Sequence, residues 1–323
     1  MLRTILASAR TPRGTLLAAL GAAGAITAQN APALAHGFAG ERFFPATLIT
    51  DDPFVGDELA TPTVQVTKNP AGANPPSREI DTTFFDFSKR VTPNFGLEFA
   101  ATWKHIATKG VSTTTGLADF QTTTKYVFFR DDQHEALMAA ALGWQIGGSG
   151  APRVGADKEN IYTPTLEFGK GLGDLPDSMG LLKPFAITGT LGYAVPDRGH
   201  TTHDDGSVDI HQQNIQWGFA VEYSIPYLQS FVKDIGLRAP FNRFIPVVEL
   251  SLSTPTEHGN RETTGTVAPG LLWVGSYYQI GVEALVPVNT RSGHYVGAIA
   301  QFHMFLDDIF PTTIGKPLFG GSQ

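Results

Sequence analysis

The sequence predicts an all-β fold, an antiparallel transmembrane β-barrel of about twelve strands. Three observations predict it. Apolar and polar residues alternate with period two in one segment after another from residue 61 to residue 307. The connections between these segments alternate between short and long. The face opposite the apolar one is too poor in charge for the outside of a soluble protein: 16% of the residues are charged, against about 25% in an average soluble domain.

Before the first strand lie two segments of different character. Arg3, Arg10 and Arg13 precede an apolar run from Thr15 to Ala28, which is too short for a comfortable membrane span. Ala33-Leu34-Ala35 then offers small residues for cleavage before His36, with Ala31-Pro32-Ala33 as a second site. Residues 1–35 therefore read as a secretory signal peptide. Losing its three arginines moves the formal charge from −7 to −10. An acidic mature chain without a basic patch excludes nucleic acid as a partner. With no cysteine, disulfides, thiolate metal sites and cysteine nucleophiles are excluded too. Mean hydropathy is −0.04 and no second 20-residue apolar run exists, which excludes a helical membrane protein.

Residues 36–60 are too apolar for a plain disordered tail, with Phe38, Phe43, Phe44, Leu48, Ile49, Phe54 and Val55 among them. Asp51 ahead of Asp52-Pro53 reads as a helix start. Two placements stay open: a plug inside the barrel, or a periplasmic segment packed on its rim. His36 as a mature N-terminus would pair an α-amine with an imidazole, a copper-chelating combination; a chance cleavage position is the plainer reading.

The strands are predicted near 61–68, 79–90, 95–106, 116–129, 135–147, 160–170, 182–195, 212–224, 243–254, 263–274, 277–288 and 294–307. Asn214 to Tyr223 is the clearest: Ile215, Trp217, Phe219, Val221 and Tyr223 share one face, opposed by Gln216, Gly218, Ala220 and Glu222. Phe95 to Ile106 follows suit, with Leu97, Phe99, Ala101 and Trp103 against Gly96, Glu98, Ala100 and Lys104. The connections 91–94, 130–134 and 275–276 are short, whereas 69–78, 107–115, 148–159, 196–211 and 255–262 are long and rich in Gly, Ser, Thr and Pro. The two sets fall on opposite ends of the array. Two connections depart from this rule: 171–181 is of middling length, and 225–242 is long on the short-loop side and reads as a rim helix.

A soluble sandwich also alternates, with its apolar face inward, and its outer face would carry many charges. Here the second face is mostly Gly, Ala, Thr and Gln with about one carboxylate per strand. That is a poor soluble surface and a natural barrel interior. Trp103, Trp144, Tyr193, Tyr223 and Trp273 supply aromatics for the membrane interfaces. Pro164, Pro246, Pro269 and Pro287 fall within predicted strands, where each must mark a bulge, a strand end or a broken ladder. The leader, the strands and the loop asymmetry together resemble the bacterial outer-membrane β-barrel transporters and porins, and more loosely the transporter barrels of phenol meta-degradation gene clusters. The resemblance is architectural and covers residues 61–307, leaving 308–323 as a C-terminal tail. It implies a Gram-negative outer membrane, its lipid and the barrel-assembly machinery as partners, and passage of small solutes.

On this frame Glu98, Lys104, Asp119, Lys125, Glu167, Glu222, Glu249 and Glu283 are expected to line the lumen. Six carboxylates against two lysines would favour cationic, neutral or aromatic solutes over anions. Equally, these groups pair with one another and fill a narrow barrel. His200, His203 and His211, with Asp204 and Asp205, share one long loop and have metal-ligating chemistry; a solvated loop is the plainer reading. His105 has the parity to face lipid and Ser112 is close in sequence, the pair a lipid hydrolase would need. No phosphate loop, dinucleotide fingerprint or metalloprotease helix is present, so no cofactor is expected. The leading reading is a passive conduit for small solutes. The alternatives are a lipid hydrolase and a structural or binding barrel with a filled interior.

Overall fold

The structure, a computed structural model, describes residues 37–69, 78–202, 208–256 and 262–320. The predicted leader and His36 lie outside the described residues. Twelve long strands form the wall. In chain order they are β1 (Glu58–Asn69), β2 (Arg78–Thr92), β3 (Phe95–Thr108) and β4 (Gln121–Asp131). Next come β5 (Ala136–Gln145), β6 (Ile161–Gly171), β7 (Phe185–Pro196) and β8 (Asn214–Tyr223). The last four are β9 (Phe244–Pro255), β10 (Thr264–Val274), β11 (Tyr278–Pro287) and β12 (Gly297–Phe305). Each pairs antiparallel with its sequence neighbours, and β12 pairs with β1, so the sheet closes into a barrel with no free edge. Closure matters physically because an open edge in lipid would leave backbone groups without partners.

The alternation in the sequence sets the two faces. On β8, Phe219 is 40% exposed on the outside while Glu222 is 2% exposed on the inside. The same holds on β3, where Phe99 and Trp103 are exposed outward and Thr102 is buried inward. Large exposed apolar side chains recur around the outer face, including Leu142, Leu166, Leu191, Val248, Ile280 and Val282. This is the surface of a barrel that faces lipid. At one end, aromatic rings form a chain along the interface: Phe241 to Phe244, and Trp273 to Tyr278 to Phe302, with centroids 5.5–6.4 Å apart.

Because successive strands run up and down, all odd-to-even hairpins share one end and all even-to-odd hairpins the other. Both termini of the barrel enter at the short-turn end. There Leu306–Ile309 forms a single helical turn, and the tail is tied under β2 by Phe319 N–H donating to the Val91 carbonyl at 2.8 Å. The long connection after β8 opens with a short helix, Ile225–Tyr227, continued by a π turn over Leu228–Val232 and capped by Ser224.

Two features differ from the simple alternation. The strand expected over 116–129 comes as two pieces: a short Thr114–Leu117 added to β3 beyond the ring, and β4 starting at Gln121. Between the two pieces the Asp119 carboxylate accepts from Gly150 N–H (2.9 Å) and Asp157 N–H (2.6 Å), which ties the 146–160 loop to the break. The prolines interrupt the ladder on one side only. Pairing of β6 with β7 lapses beside Pro164, and pairing of β10 with β11 lapses beside Pro269, while the opposite neighbour stays in register. Pro287 ends β11.

The outward placement of Phe219 carries a prediction. Phe219→Arg places a cation against hydrocarbon near mid-strand, at a cost of about 2–4 kcal/mol, and should abolish the heat-modifiable mobility of the assembled barrel on electrophoresis. Glu222→Gln on the inner face of the same strand should leave that mobility unchanged.

Candidate functional site: the lumen and its plug

Residues 37–57 run inside the barrel. The helix expected at Asp51 does not form; the Asp52 carboxylate instead folds back on Thr47, accepting from its backbone N–H and lying 2.8 Å from its hydroxyl. Burial holds the Asp52 carboxyl well above the usual carboxylate range, opposed by Lys125 and the Thr47 bonds. An irregular chain cannot satisfy its own backbone, so its polar groups must find partners in the wall. Glu249 of β9 accepts four hydrogen bonds from three consecutive residues: Leu48 N–H (2.6 Å), Ile49 N–H (3.0 Å), Thr50 N–H (2.8 Å) and the Thr50 hydroxyl (2.8 Å). Gln279 of β11 donates to the Ala46 carbonyl at 2.6 Å, and Lys125 of β4 to the Asp52 carbonyl at 2.7 Å.

Apolar packing completes the fit. Phe44 and Phe54 pack with Leu137 and Ala186 of the wall, and Val55 with Val127 and Ala139. Leu48 rests on two clusters, one of Ile245 and Leu272, the other of Leu285 and Ile299. Inward glycines make the room. A Cβ at Gly96 would lie 3.1 Å from Val55, one at Gly169 3.1 Å from Pro53, and one at Gly281 2.6 Å from Leu48.

The segment is moored at both of its ends. The fully buried Arg42 donates to Glu135 at 3.1 Å and to the Pro184 and Lys183 carbonyls, and its guanidinium stacks 3.8 Å over the Tyr227 ring. Tyr227 donates its own hydroxyl to Glu135 at 2.8 Å. Burial and that carboxylate both raise the phenol above its ordinary value, so it stays protonated as the donor. At the other end the buried Asp57 holds Lys89, Arg90 N–H (2.9 Å) and Arg90 Nε (2.8 Å), and its carbonyl accepts from Leu306 N–H.

The residues expected to line the lumen are distributed unevenly. Lys125 is bracketed by Glu98 (3.0 Å) and Glu167 (3.2 Å) and so joins three of them. Glu222 and Glu283 are buried on the inner face, and Glu249 is wholly engaged by the plug. Lys104 lies half-buried on β3, without an ion pair among the described residues. Asp119 organises the outer loop instead of lining the wall. Of the three histidines, His200 is exposed, His211 sits 3.1 Å from Glu159, and His203 lies outside the described residues. Among the described residues no hydrogen bond joins His105 to the exposed Ser112.

Two cavities flank the plug. The outer one, about 470 Å³, has Ile49, Thr50 and Asp51 as its floor and a wall of Thr67, Thr165, Thr190, Gln216, Ser251 and Thr266. The inner one, about 440 Å³, lies between the plug and strands β1 to β4 and β12, and Glu98 and Lys125 border it. Ile49, Thr50, Asp51 and Gln65 belong to both, so the two chambers meet at the plug's crest. Asp51 and Asp52 are singled out in the sequence only as a helix start, and Asp57, Asp86, Arg42 and Gln279 are not expected there as site residues. Asp86 was legible, since it alternates inward with Phe84 and Ser88; the partners of the plug were not, because they meet it only in space.

A closed antiparallel barrel with an apolar outside and a polar, partly hollow inside belongs to the class of transmembrane β-barrels. No family model matches the chain, and no curated protein matches it. Among solved structures it is similar to an outer membrane channel from Pseudomonas putida F1, with TM-score 0.52 and 8% identity over 81% of this chain and 99% of that one. It is also similar to the NanC porin (TM-score 0.45, 11% identity, 76% of this chain and 99% of that one) and to the KdgM porin (0.43, 10%, 77% and 98%). At these identities the likeness is one of fold.

The plug's contacts generate a second prediction. Hydrogen bonds to a charged acceptor contribute about 1.5–3 kcal/mol each, so Glu249→Ala should raise the accessibility of residues 46–52 to a water-soluble thiol reagent, read at an introduced cysteine, by at least tenfold. Gly96→Leu, which pushes on Val55, should shift accessibility in the same direction.

Proposed function

We propose that this protein is an outer-membrane conduit for passive passage of small solutes, closed in the state described here by its own residues 37–57. One observation carries the reading: the lumen is occupied by a separate segment held through hydrogen bonds and two moorings, with chambers beside it, whereas a filled barrel would be packed shut by its wall side chains. The short-turn end, where both barrel termini lie, would face the periplasm, and the long loops the exterior. Export by a cleaved leader belongs to the same proposal. Solute would enter the hydroxyl-lined outer chamber, pass the crest at Ile49–Asp51 and continue beside the plug or through the space it vacates.

Planar-bilayer recording tests this. The full chain should give small or rare current steps, and removal of residues 43–55 should enlarge or lengthen them severalfold. Barrel assembly is checked by heat-modifiable mobility. An assembled protein that conducts in neither form contradicts the proposal.

A further inference from the structure

We infer that the inner chamber is a binding site for a small organic cation, with Asp51 and Asp86 as its counter-charges. Five carboxylates border it, Asp51, Asp52, Glu58, Asp86 and Glu98, against one lysine, Lys125, and one histidine, His303. These groups are not equally engaged. Glu98 is paired with Lys125, and His303 lies 3.2 Å from Glu58. Asp52 is turned onto Thr47. Asp51 and Asp86 have no cationic partner within ion-pair distance among the described residues; Asp86 has only the Ser88 hydroxyl, at 3.4 Å. Lys125 makes its ion pairs with Glu98 and Glu167 and reaches Asp51 and Asp86 only from beyond ion-pair distance.

A second observation is independent of the acidic count. Gln301 lines the same chamber, is nine-tenths buried, and its side-chain oxygen has no hydrogen-bond partner. A buried acceptor of that kind asks for a donor. The two phenyl rings that border the chamber, Phe54 and Phe84, supply π faces for a cation.

The ligand class follows from what the chamber offers. A hard metal ion needs several oxygen ligands converging on one point, and no group of three or more His, Asp or Glu side chains among the described residues is arranged to hold one. Dispersed carboxylates, an amide oxygen and ring faces around 440 Å³ instead match an organic cation with N–H or N-methyl groups spread over its surface. The outer chamber does not share this character. Its wall is mostly hydroxyl and amide, with one lysine, Lys68, and one carboxylate, Asp51, among its lining residues, so carboxylates are concentrated in the inner chamber.

For passage of the ligand this inference rests on the conduit reading, but for its binding it does not. The full-length protein in detergent is titrated calorimetrically with choline chloride, and in parallel with sodium acetate and glucose; uptake of the same solutes is measured in proteoliposomes. Choline should bind while acetate and glucose do not. Asp51→Asn combined with Asp86→Asn should weaken choline by at least about tenfold, and Asp86→Glu should restore most of it. Heat-modifiable mobility establishes that each variant is assembled. Failure of choline to bind the assembled wild type, or equal binding by the double Asn variant, overturns the inference. Choline binding without uptake in either the full chain or the variant lacking residues 43–55 would retain the site and overturn the conduit reading. Uptake with no preference for choline would do the reverse.

Discussion

Glu249 is the constraint around which the interior is organised. A carboxylate buried in a barrel wall is costly unless its oxygens are satisfied. Here three successive backbone N–H groups and a hydroxyl satisfy it. The same bonds solve the opposite problem, because residues 48–50 form no helix or ladder and would otherwise carry unpaired donors into a closed space. Each side is stable only because of the other. The surrounding features accommodate that contact: glycines at positions 96, 169 and 281 where the segment passes close to the wall, and small inward residues such as Ala139, Ala186, Ala220 and Ala268.

The moorings lie at the rim, away from the central contact. Arg42 and Asp57 are buried charges, each surrounded by several partners at the rim through which the chain enters and leaves. Breaking either would leave an uncompensated buried charge, which is strongly destabilising. The stretch between them is held by Glu249, Gln279 and Lys125 of the wall and by apolar packing of Phe44, Leu48, Phe54 and Val55.

Most of the wall was legible in the sequence, because a period-two alternation of large apolar residues against Gly, Ala and Thr has few other physical explanations. Each of the twelve expected segments overlaps a strand, and β8 runs from Asn214 to Tyr223 with Trp217 and Phe219 outward and Glu222 inward. The 116–129 segment departs from a single strand: Asp119 has the parity of an inward residue, and nothing local in the sequence shows that its carboxylate is engaged by the backbone of residues 150 and 157. The helix expected at Asp51 failed for a similar reason: Asp52 caps backward onto Thr47, and the wall supplies the partners that a helix would have supplied internally. The candidate site was half visible. Glu98, Lys125 and Glu249 stood out as inward charges, but whether a carboxylate lines water, pairs with a lysine or grips a passing chain depends on contacts between different strands, and for Glu249 on residues about two hundred positions away.

The absence of cysteine from the chain lets the position of the lumen segment be fixed by one introduced pair. In a protein carrying Val55→Cys and Gly96→Cys, the two Cβ atoms would stand close to disulfide distance, since a Cβ built at Gly96 lies 3.2 Å from that of Val55. Bilayer currents recorded before and after oxidation test whether the segment in the lumen is the closing element. A rapid intramolecular disulfide is expected, with near-complete loss of current on its formation and recovery with reductant. Failure of the pair to cross-link in the assembled barrel, or an unchanged current once it is cross-linked, would contradict it.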